Sequence, residues 1–425
     1  MASLGVIPRE LQLQIIHSLT FEDRIRLSLT CRHLHKTFST SDKWVPIFTR
    51  LEISTHNRVR QAHRLFTHLS GMIPKQLPFS LSPPEKLKHP DGLKTYRQLL
   101  NRDLLALSMT HTYYDTYIQK FSIETRDGSL AMCKIFTLYK GHMKYNGFYR
   151  EKTSCVNAEL EITRLLSRLV LQNKTPHILL PITEFVTDLA LFEQIARESS
   201  SEQSQKFIHK LTEYTHLNLV PVCIYEPVRQ FDDYLAKTAM TVLHWKVIIF
   251  QVLFTLAIIH ETYPGFRHNE LKLQAIMISL TMSSPVKDEY TLGRQKFLVP
   301  NLGISVRIGD FFLSAIEGVV ENQIIGHDWC EEIGIRGTQN RFADMYVFLY
   351  LLNKVCNEPV VSDFVQRIIN RPDGGPGEKR RYRWLGGEET TPARELVFDE
   401  FFSEFRLVAP LTTAGCATGT SIGKH

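Results

Sequence analysis

This 425-residue sequence lacks the features that define several classes of protein. Its seven cysteines are an odd number with no C-x-x-C pair, which argues against a disulfide framework and against a zinc ribbon. No stretch approaches about 18 uncharged apolar residues, so we expect no membrane-spanning helix and no membrane partner. No basic run alternates with aromatic residues, and a net charge of +6 is mild for this length, so nucleic-acid binding is not favoured.

The residues that are present indicate a folded protein of a reducing compartment. Hydrophobic residues make up 43% and charged residues 22%, close to globular averages, which excludes a wholly disordered chain. The first residues meet acidic and polar side chains at once, unlike a secretory signal. We therefore expect a cytoplasmic or nuclear protein that is not secreted.

Composition divides the chain into four parts. Residues 5–50 have a compact helical pattern, and residues 51–99 form a helix and a connector whose segment 71–95 carries five prolines. Mixed strand and helix signals fill residues 100–408, and residues 409–425 are small and polar, as in a flexible tail. This length favours two or three domains.

An apolar stripe follows Pro8 near the N-terminus. Leu11, Ile15, Ile16 and Leu19 have the spacing of one face of a short helix. About 45 residues of small helices bury little core by themselves, so such a module often completes its apolar face with a partner. The alternative is an ordinary helical hairpin packed on the rest of the chain.

The order of residues in this segment resembles the F-box, with Ile7 in place of the usual first leucine. The resemblance implies docking on the Skp adaptor of cullin–RING ubiquitin ligases. It also places five residues on or near the partner-binding face. The matched positions are Ile7-Pro8, Glu10-Leu11, Ile15, Leu19, Asp23, Leu27, Cys31-Arg32 and Trp44, and the implied partner-binding residues are Pro8, Leu11, Ile15, Ile16 and Leu19.

Sequence islands in a fixed order follow from about residue 100. They are a strand with a lysine, a helix with glutamates, a strand ending in a polar turn, a long apolar helix, the segment FRHNELKLQAIMI, a strand before Asp310, and a second apolar helix headed by Asp344. This order resembles the protein-kinase fold. The sequences of the segments look most like those of kinase-like proteins of large DNA viruses. If the protein is viral, as this resemblance implies, we expect it in the host cell. The implied fold class is α+β, a small all-helical F-box joined to a two-lobed kinase-like domain with lobes at 100–223 and 227–408.

The kinase resemblance assigns roles to individual residues. Lys134 matches the strand lysine that contacts phosphates, and Glu161 matches its helix partner better than Glu159, because it precedes the pair Leu165–Leu166. Asp310 matches the metal-binding aspartate. Glu270 stands at the position of the catalytic base, and Lys272 is kept.

Other positions depart from the kinase pattern. Glu270 is one methylene longer than the usual aspartate, and misplacement by about an ångström can cost roughly a hundredfold in rate. Ala275 removes a metal-binding asparagine, and Phe312 replaces a glycine. The segment before Lys134 has no glycine-rich phosphate loop. Architectural residues such as Asp344 survive, so the pattern favours a pseudokinase that binds ATP with Mg²⁺ or Mn²⁺ weakly through Lys134 and Asp310.

Three functions remain open at this point. The favoured one is an F-box adaptor that recruits an unidentified protein target to a Skp–cullin-type ubiquitin ligase through the degenerate kinase-like domain. The second is an atypical active Ser/Thr kinase that uses Lys134, Glu270 and Asp310. The third is a structural or virion-associated scaffold.

Overall fold

The computed structural model describes residue 58 and residues 108–114, 118–124, 130–136, 155–188, 219–281, 283–326, 343–369 and 392–407. The F-box segment, with Pro8, Leu11, Ile15, Ile16 and Leu19, lies outside these ranges, as do the expected tail and most of the connector. The expected boundaries and the F-box contact residues therefore stay predictions.

A five-stranded antiparallel sheet forms the first part of the described fold, in the order β1-β2-β3-β5-β4. On β3, Met132, Cys133, Lys134 and Phe136 are all buried, so both faces of this strand are covered. The strands are β1 Ser108–Tyr114, β2 Ile118–Glu124, β3 Leu130–Phe136, β4 Pro181–Asp188 and β5 Leu219–Tyr225.

Helix α1, Cys155–Leu171, lies between β3 and β4 in the chain and packs against β4. Its apolar residues recur on nearly every side, and most of them are buried, including Ile162, Leu166 and Leu169. The helix also contacts a short 3₁₀ turn at Phe311–Leu313. This contact brings α1 close to Asp310, the residue before that turn.

The long apolar helix predicted from the sequence is α3, Val242–Thr262. It begins at Thr241, whose hydroxyl accepts a hydrogen bond from the backbone N–H of His244 at 3.4 Å. By length and composition alone, α3 is apolar enough to cross a membrane, which differs from the expectation that no segment would be. Most of α3 is buried inside the described fold, where it is the central core helix.

Short strands and helices surround α3. Strands β11, β8 and β6 form a three-stranded sheet, β9 and β10 form a hairpin, and β12 pairs with β7. The strands are β6 Arg229–Gln230, β7 Phe266–Arg267, β8 Ile276–Leu280, β9 Ser284–Leu292, β10 Gln295–Asn301, β11 Ile304–Ile308 and β12 Ala315–Ile316. The helices are α2 Phe231–Leu235, α4 Ala343–Val355, α5 Pro359–Ile369 and α6 Ala393–Val397, with 3₁₀ turns at Leu273–Ala275, Gln323–Gly326 and Glu400–Phe405.

Helices and sheets together confirm the predicted α+β class. The second apolar helix is also where the sequence predicted it, because α4 carries Asp344 in its first turn and buries Phe348, Leu349 and Leu352. Four cysteines of the described ranges are free and buried, among them Cys133 and Cys223, which pack as small apolar residues as expected.

Candidate functional site

The centre of the candidate site is the ammonium group of Lys134 on β3. It forms ion pairs with Glu159 of α1 and with Asp310, which follows β11. The chain positions of these three residues are far apart, so the site depends on the packing of α1 and β11 around the sheet. The structure thus brings together Lys134 and Asp310, the two residues that the kinase resemblance names as nucleotide contacts, and their role in binding a nucleotide stays a prediction.

The glutamate that pairs with Lys134 is Glu159, and the choice of Glu161 was wrong. Two positions along an α-helix differ by about 200°, so these glutamates face nearly opposite directions. Glu159 is 0% exposed, whereas Glu161 is half-buried. The pair Leu165–Leu166 could not decide between them, because both leucines are buried.

Asp310 accepts hydrogen bonds on both of its carboxylate oxygens. Oδ1 accepts from Lys134 and Oδ2 accepts from Lys120. Burial by itself would raise the pKa of Asp310, but the two lysine ammoniums outweigh it and hold that pKa well below its usual value. The carboxylate is therefore ionised and engaged by two cations at neutral pH.

Lys120 is the functional residue that sequence reasoning missed. It lies on β2 directly opposite Lys134 in the antiparallel register, and it is 1% exposed. Its ammonium also donates to the backbone carbonyl of Gln274 at 3.4 Å. A buried lysine between Gln119 and Phe121 gives little local signal, because only the strand register places it beside Lys134.

Two lysines and two carboxylates make this cluster electrically neutral. Burial lowers the pKa of Lys134, but the carboxylates of Asp310 and Glu159 outweigh that effect and raise it. Burial also raises the pKa of Glu159, against the opposing effect of Lys134. The hydroxyl of Tyr225 donates to Glu159 Oε1 at 3.4 Å. These contacts balance charge inside the fold, which burial of single ions would not allow.

The loop that carries Glu270 is fixed through its backbone. Asp344 accepts hydrogen bonds from the backbone N–H groups of His268 at 2.6 Å and Asn269 at 2.7 Å, so its expected role in holding this loop is confirmed. The side chain of Glu270 forms an ion pair with Lys272, and both are partly exposed. Within the described residues, the candidate base is thus engaged by a neighbouring cation.

The turn that positions Asp310 is tightly packed. Asp310 has a φ of +69°, in the left-handed region that is uncommon for residues other than glycine. A Cβ on the preceding Gly309 would lie 2.7 Å from Met277 Cε and 2.9 Å from Leu179 Cδ2, so a larger residue there would require both side chains to shift. A ring nitrogen of His268 hydrogen-bonds with the carbonyl of Gly309 at 3.0 Å.

Phe312, which replaces the glycine of the kinase pattern, is a core residue. Its ring is buried and stacks on Phe136 of β3, with 6.2 Å between the centroids and 20° between the planes. Asn322 donates to the carbonyl of Phe312 at 2.9 Å. The residue therefore anchors the turn after Asp310 against the sheet.

A divalent cation does not fit the oxygen ligands that the described residues offer. Mg²⁺ and Mn²⁺ prefer carboxylate, carbonyl and amide oxygens, and usually need more than one such protein ligand or several waters. Both oxygens of Asp310 are engaged by lysines, and Ala275 offers no side-chain oxygen. No group of three or more His, Cys, Asp and Glu side chains able to hold a metal occurs in the described ranges. The expected metal at Asp310 is thus not supported.

A second buried ion cluster lies beside the sheet. Arg58 forms a forked ion pair with Glu226, which follows β5, and also donates to the carbonyls of Pro176 and Ile178. Arg307 lies 3.6 Å from the same carboxylate, and burial contributes most to lowering the pKa of Arg307 to about 9. Arg58 comes shortly after the F-box segment in the sequence, and its guanidinium is held by the described fold.

Comparisons with known proteins agree with both resemblances. Residues 6–46 match the F-box domain family. The "Putative serine/threonine-protein kinase R400" of Acanthamoeba polyphaga mimivirus is 34% identical over 278 residues, 59% of this chain and 59% of that protein. The "Putative serine/threonine-protein kinase R301" of the same virus is 39% identical over 84 residues, 19% of this chain and 21% of that protein.

The chain has an F-box domain at its N-terminus and is homologous to mimivirus kinase-like proteins. It spans 59% and 21% of the lengths of the two relatives named above. A third relative, "Uncharacterized protein R402" of the same virus, is 27% identical over 227 residues, 52% of this chain and 24% of that protein. The predicted union of an F-box with a kinase-like domain in an α+β chain is therefore confirmed.

Proposed function

We propose that this F-box and kinase-like protein is an adaptor that recruits a protein target to a Skp–cullin-type ubiquitin ligase. The observation that carries the proposal is the F-box match at residues 6–46. F-box domains generally bind the Skp adaptor, so the rest of the chain is left to select the target. The kinase-like domain supplies that surface, with phosphoryl transfer lost or feeble.

The geometry around Asp310 supports a non-catalytic role. Phosphoryl transfer depends on metal ions that neutralise the phosphates and on a base that orients the nucleophile. Here lysines engage both Asp310 oxygens, and Lys272 engages Glu270. Asp310 would have to exchange a lysine for a metal ion, and Glu270 would have to release Lys272, before either group could take part in phosphoryl transfer. The structural role of Lys134, which pairs α1 with β3, does not require catalysis.

A second candidate function is an atypical active Ser/Thr kinase. The juxtaposition of Lys134, Glu159 and Asp310 favours it, since these are the charged groups that a kinase retains. The names of the two viral relatives point the same way. Activity would require Asp310 to exchange a lysine for a metal ion.

Co-purification with the Skp adaptor tests the adaptor proposal. The full chain should retain the adaptor, and Leu11→Asp or Ile15→Asp should abolish the complex because each places a charge on the expected apolar face. Leu280→Asp is the matched control, since Leu280 is 46% exposed on the described fold. Undiminished binding by both F-box variants would contradict the proposal.

A further inference from the structure

We infer that the ammonium of Lys120 takes the place of a divalent cation beside Asp310, so that the charged cluster around Lys134 binds a polyphosphate, such as the tail of a nucleotide, without metal. The inference goes beyond the adaptor role and does not depend on the F-box. It begins from the location of Lys120, which the resemblance to kinases does not assign.

The ammonium of Lys120 lies between two chain positions that supply metal ligands in the kinase pattern. One contact is with Asp310 Oδ2, the carboxylate expected to bind metal. The other is with the carbonyl of Gln274, the residue that adjoins Ala275, where the pattern has an asparagine. A positive charge is therefore present at this location, although the asparagine side chain is missing.

Charge balance explains why a metal ion is disfavoured. Lys120 and Lys134 already neutralise Glu159 and Asp310 in a cluster that is almost wholly buried. A divalent cation would have to displace an ammonium from Asp310 and then remain close to two buried lysines. That repulsion is strong in a poorly solvated site.

A polyphosphate would instead take the place of the Asp310 carboxylate, so one anion replaces another and the balance with Lys120 and Lys134 is kept. An ammonium carries three protons, so Lys134 can keep its contact with Glu159 and also donate to a phosphate oxygen. Asp310 is the most exposed member of the cluster, at 16% of its side chain, against 1% for Lys120 and 2% for Lys134. A ligand would therefore reach the two lysines from the side of Asp310.

Thermal unfolding of the full chain with ATP or tripolyphosphate, each with excess EDTA or with Mg²⁺, tests the inference. Both ligands should raise the melting temperature equally in EDTA and in Mg²⁺. Lys120→Met should weaken binding in EDTA by about tenfold to a hundredfold, the value of one charge-assisted hydrogen bond. Lys287→Met, on the exposed face of β9, removes the same charge and should bind like the unmodified chain.

Asp310→Asn provides a second variant if Lys120→Met does not fold. A metal-dependent site would lose the nucleotide on this change, whereas here removal of a competing carboxylate should retain or strengthen binding in EDTA. Three results would overturn the inference: a shift that requires Mg²⁺, no shift with either polyphosphate, or loss of EDTA binding in Asp310→Asn. The F-box variants should bind polyphosphate normally, so failure here is separable from failure of the adaptor proposal.

Discussion

Lys120 and Lys134 lie directly opposite each other on neighbouring antiparallel strands, and both donate to the carboxylate of Asp310. Like charges at such positions normally repel and destabilise a sheet. Here the shared carboxylate lies between the two ammoniums, and Glu159 provides the second negative charge. The pairing of these strands thus depends on the turn after β11 and on α1.

The two glutamates of α1 should have unequal effects on stability. Glu159→Gln leaves Lys134 with one carboxylate in a buried site, and breaking such a pair costs about 3–5 kcal/mol. Glu161→Gln changes a half-buried residue, and it should alter the free energy of unfolding by about 0.5 kcal/mol or less. Urea denaturation of both variants provides the measurement, and equal losses would contradict the assignment of Glu159.

Arg58 should contribute strongly to the stability of the described fold. Arg58→Ala leaves the buried Glu226 with Arg307 at 3.6 Å and the backbone N–H of Leu180 at 2.9 Å as partners. We expect a loss of about 3 kcal/mol or more in the free energy of unfolding. Arg229→Ala, at an exposed position, is the control. A change no larger than that of the control would show that the Arg58–Glu226 pair does not stabilise the described fold.

His177 should make stability depend on pH below about 6.5. Its ring is fully buried between the carbonyl of Val306 at 3.1 Å and the hydroxyl of Tyr290 at 3.0 Å. Burial, with help from Arg307, lowers the pKa of His177 well below its usual value, so the folded state keeps the ring neutral. As the pH falls through the unfolded-state pKa, the unfolded chain gains a proton that the folded chain does not, and stability decreases.

The measurement is the urea midpoint between pH 7.5 and pH 5. The free energy of unfolding should fall by up to about 1.4 kcal/mol per pH unit below that pKa. His177→Gln should remove most of this slope, whereas His244→Gln should remove a smaller part, because His244 is only half-buried and burial lowers its pKa less far. Protonation of Glu226 should lower the free energy of unfolding in a separate range, below about pH 4.5, because the pKa of Glu226 is lowered in the folded state. An unchanged slope in His177→Gln would show that His177 is not the cause of the pH dependence of stability.

The sequence predicted those parts of the site that local patterns encode. Lys134 was identifiable within an alternating strand, and Asp310 at the end of another strand. The choice between Glu159 and Glu161 failed because α1 is buried on nearly every side, so its apolar pattern does not reveal which side faces the sheet. That orientation is determined by packing.

Two other contacts join residues that are far apart in the sequence, so a local pattern cannot predict them. Lys120 reaches Asp310 across 190 positions, and Arg58 reaches Glu226 across 168. The strand register of β2 with β3 was needed to place the first, and the tertiary position of Arg58 was needed for the second. Helices α3 and α4 were easier to predict from the sequence, because both are long apolar segments with clear limits.

Phosphate transfer from labelled ATP by the full chain is the most direct test of our proposal that phosphoryl transfer by the kinase-like domain is lost or feeble. The assay would measure autophosphorylation, transfer to a general protein substrate and ATP hydrolysis, with Mg²⁺ and with Mn²⁺, and Lys134→Met as the control. We predict no transfer above that control, because lysines engage both oxygens of Asp310. Transfer that disappears in Lys134→Met would contradict this, and would make the protein an enzyme that its F-box directs to a ligase.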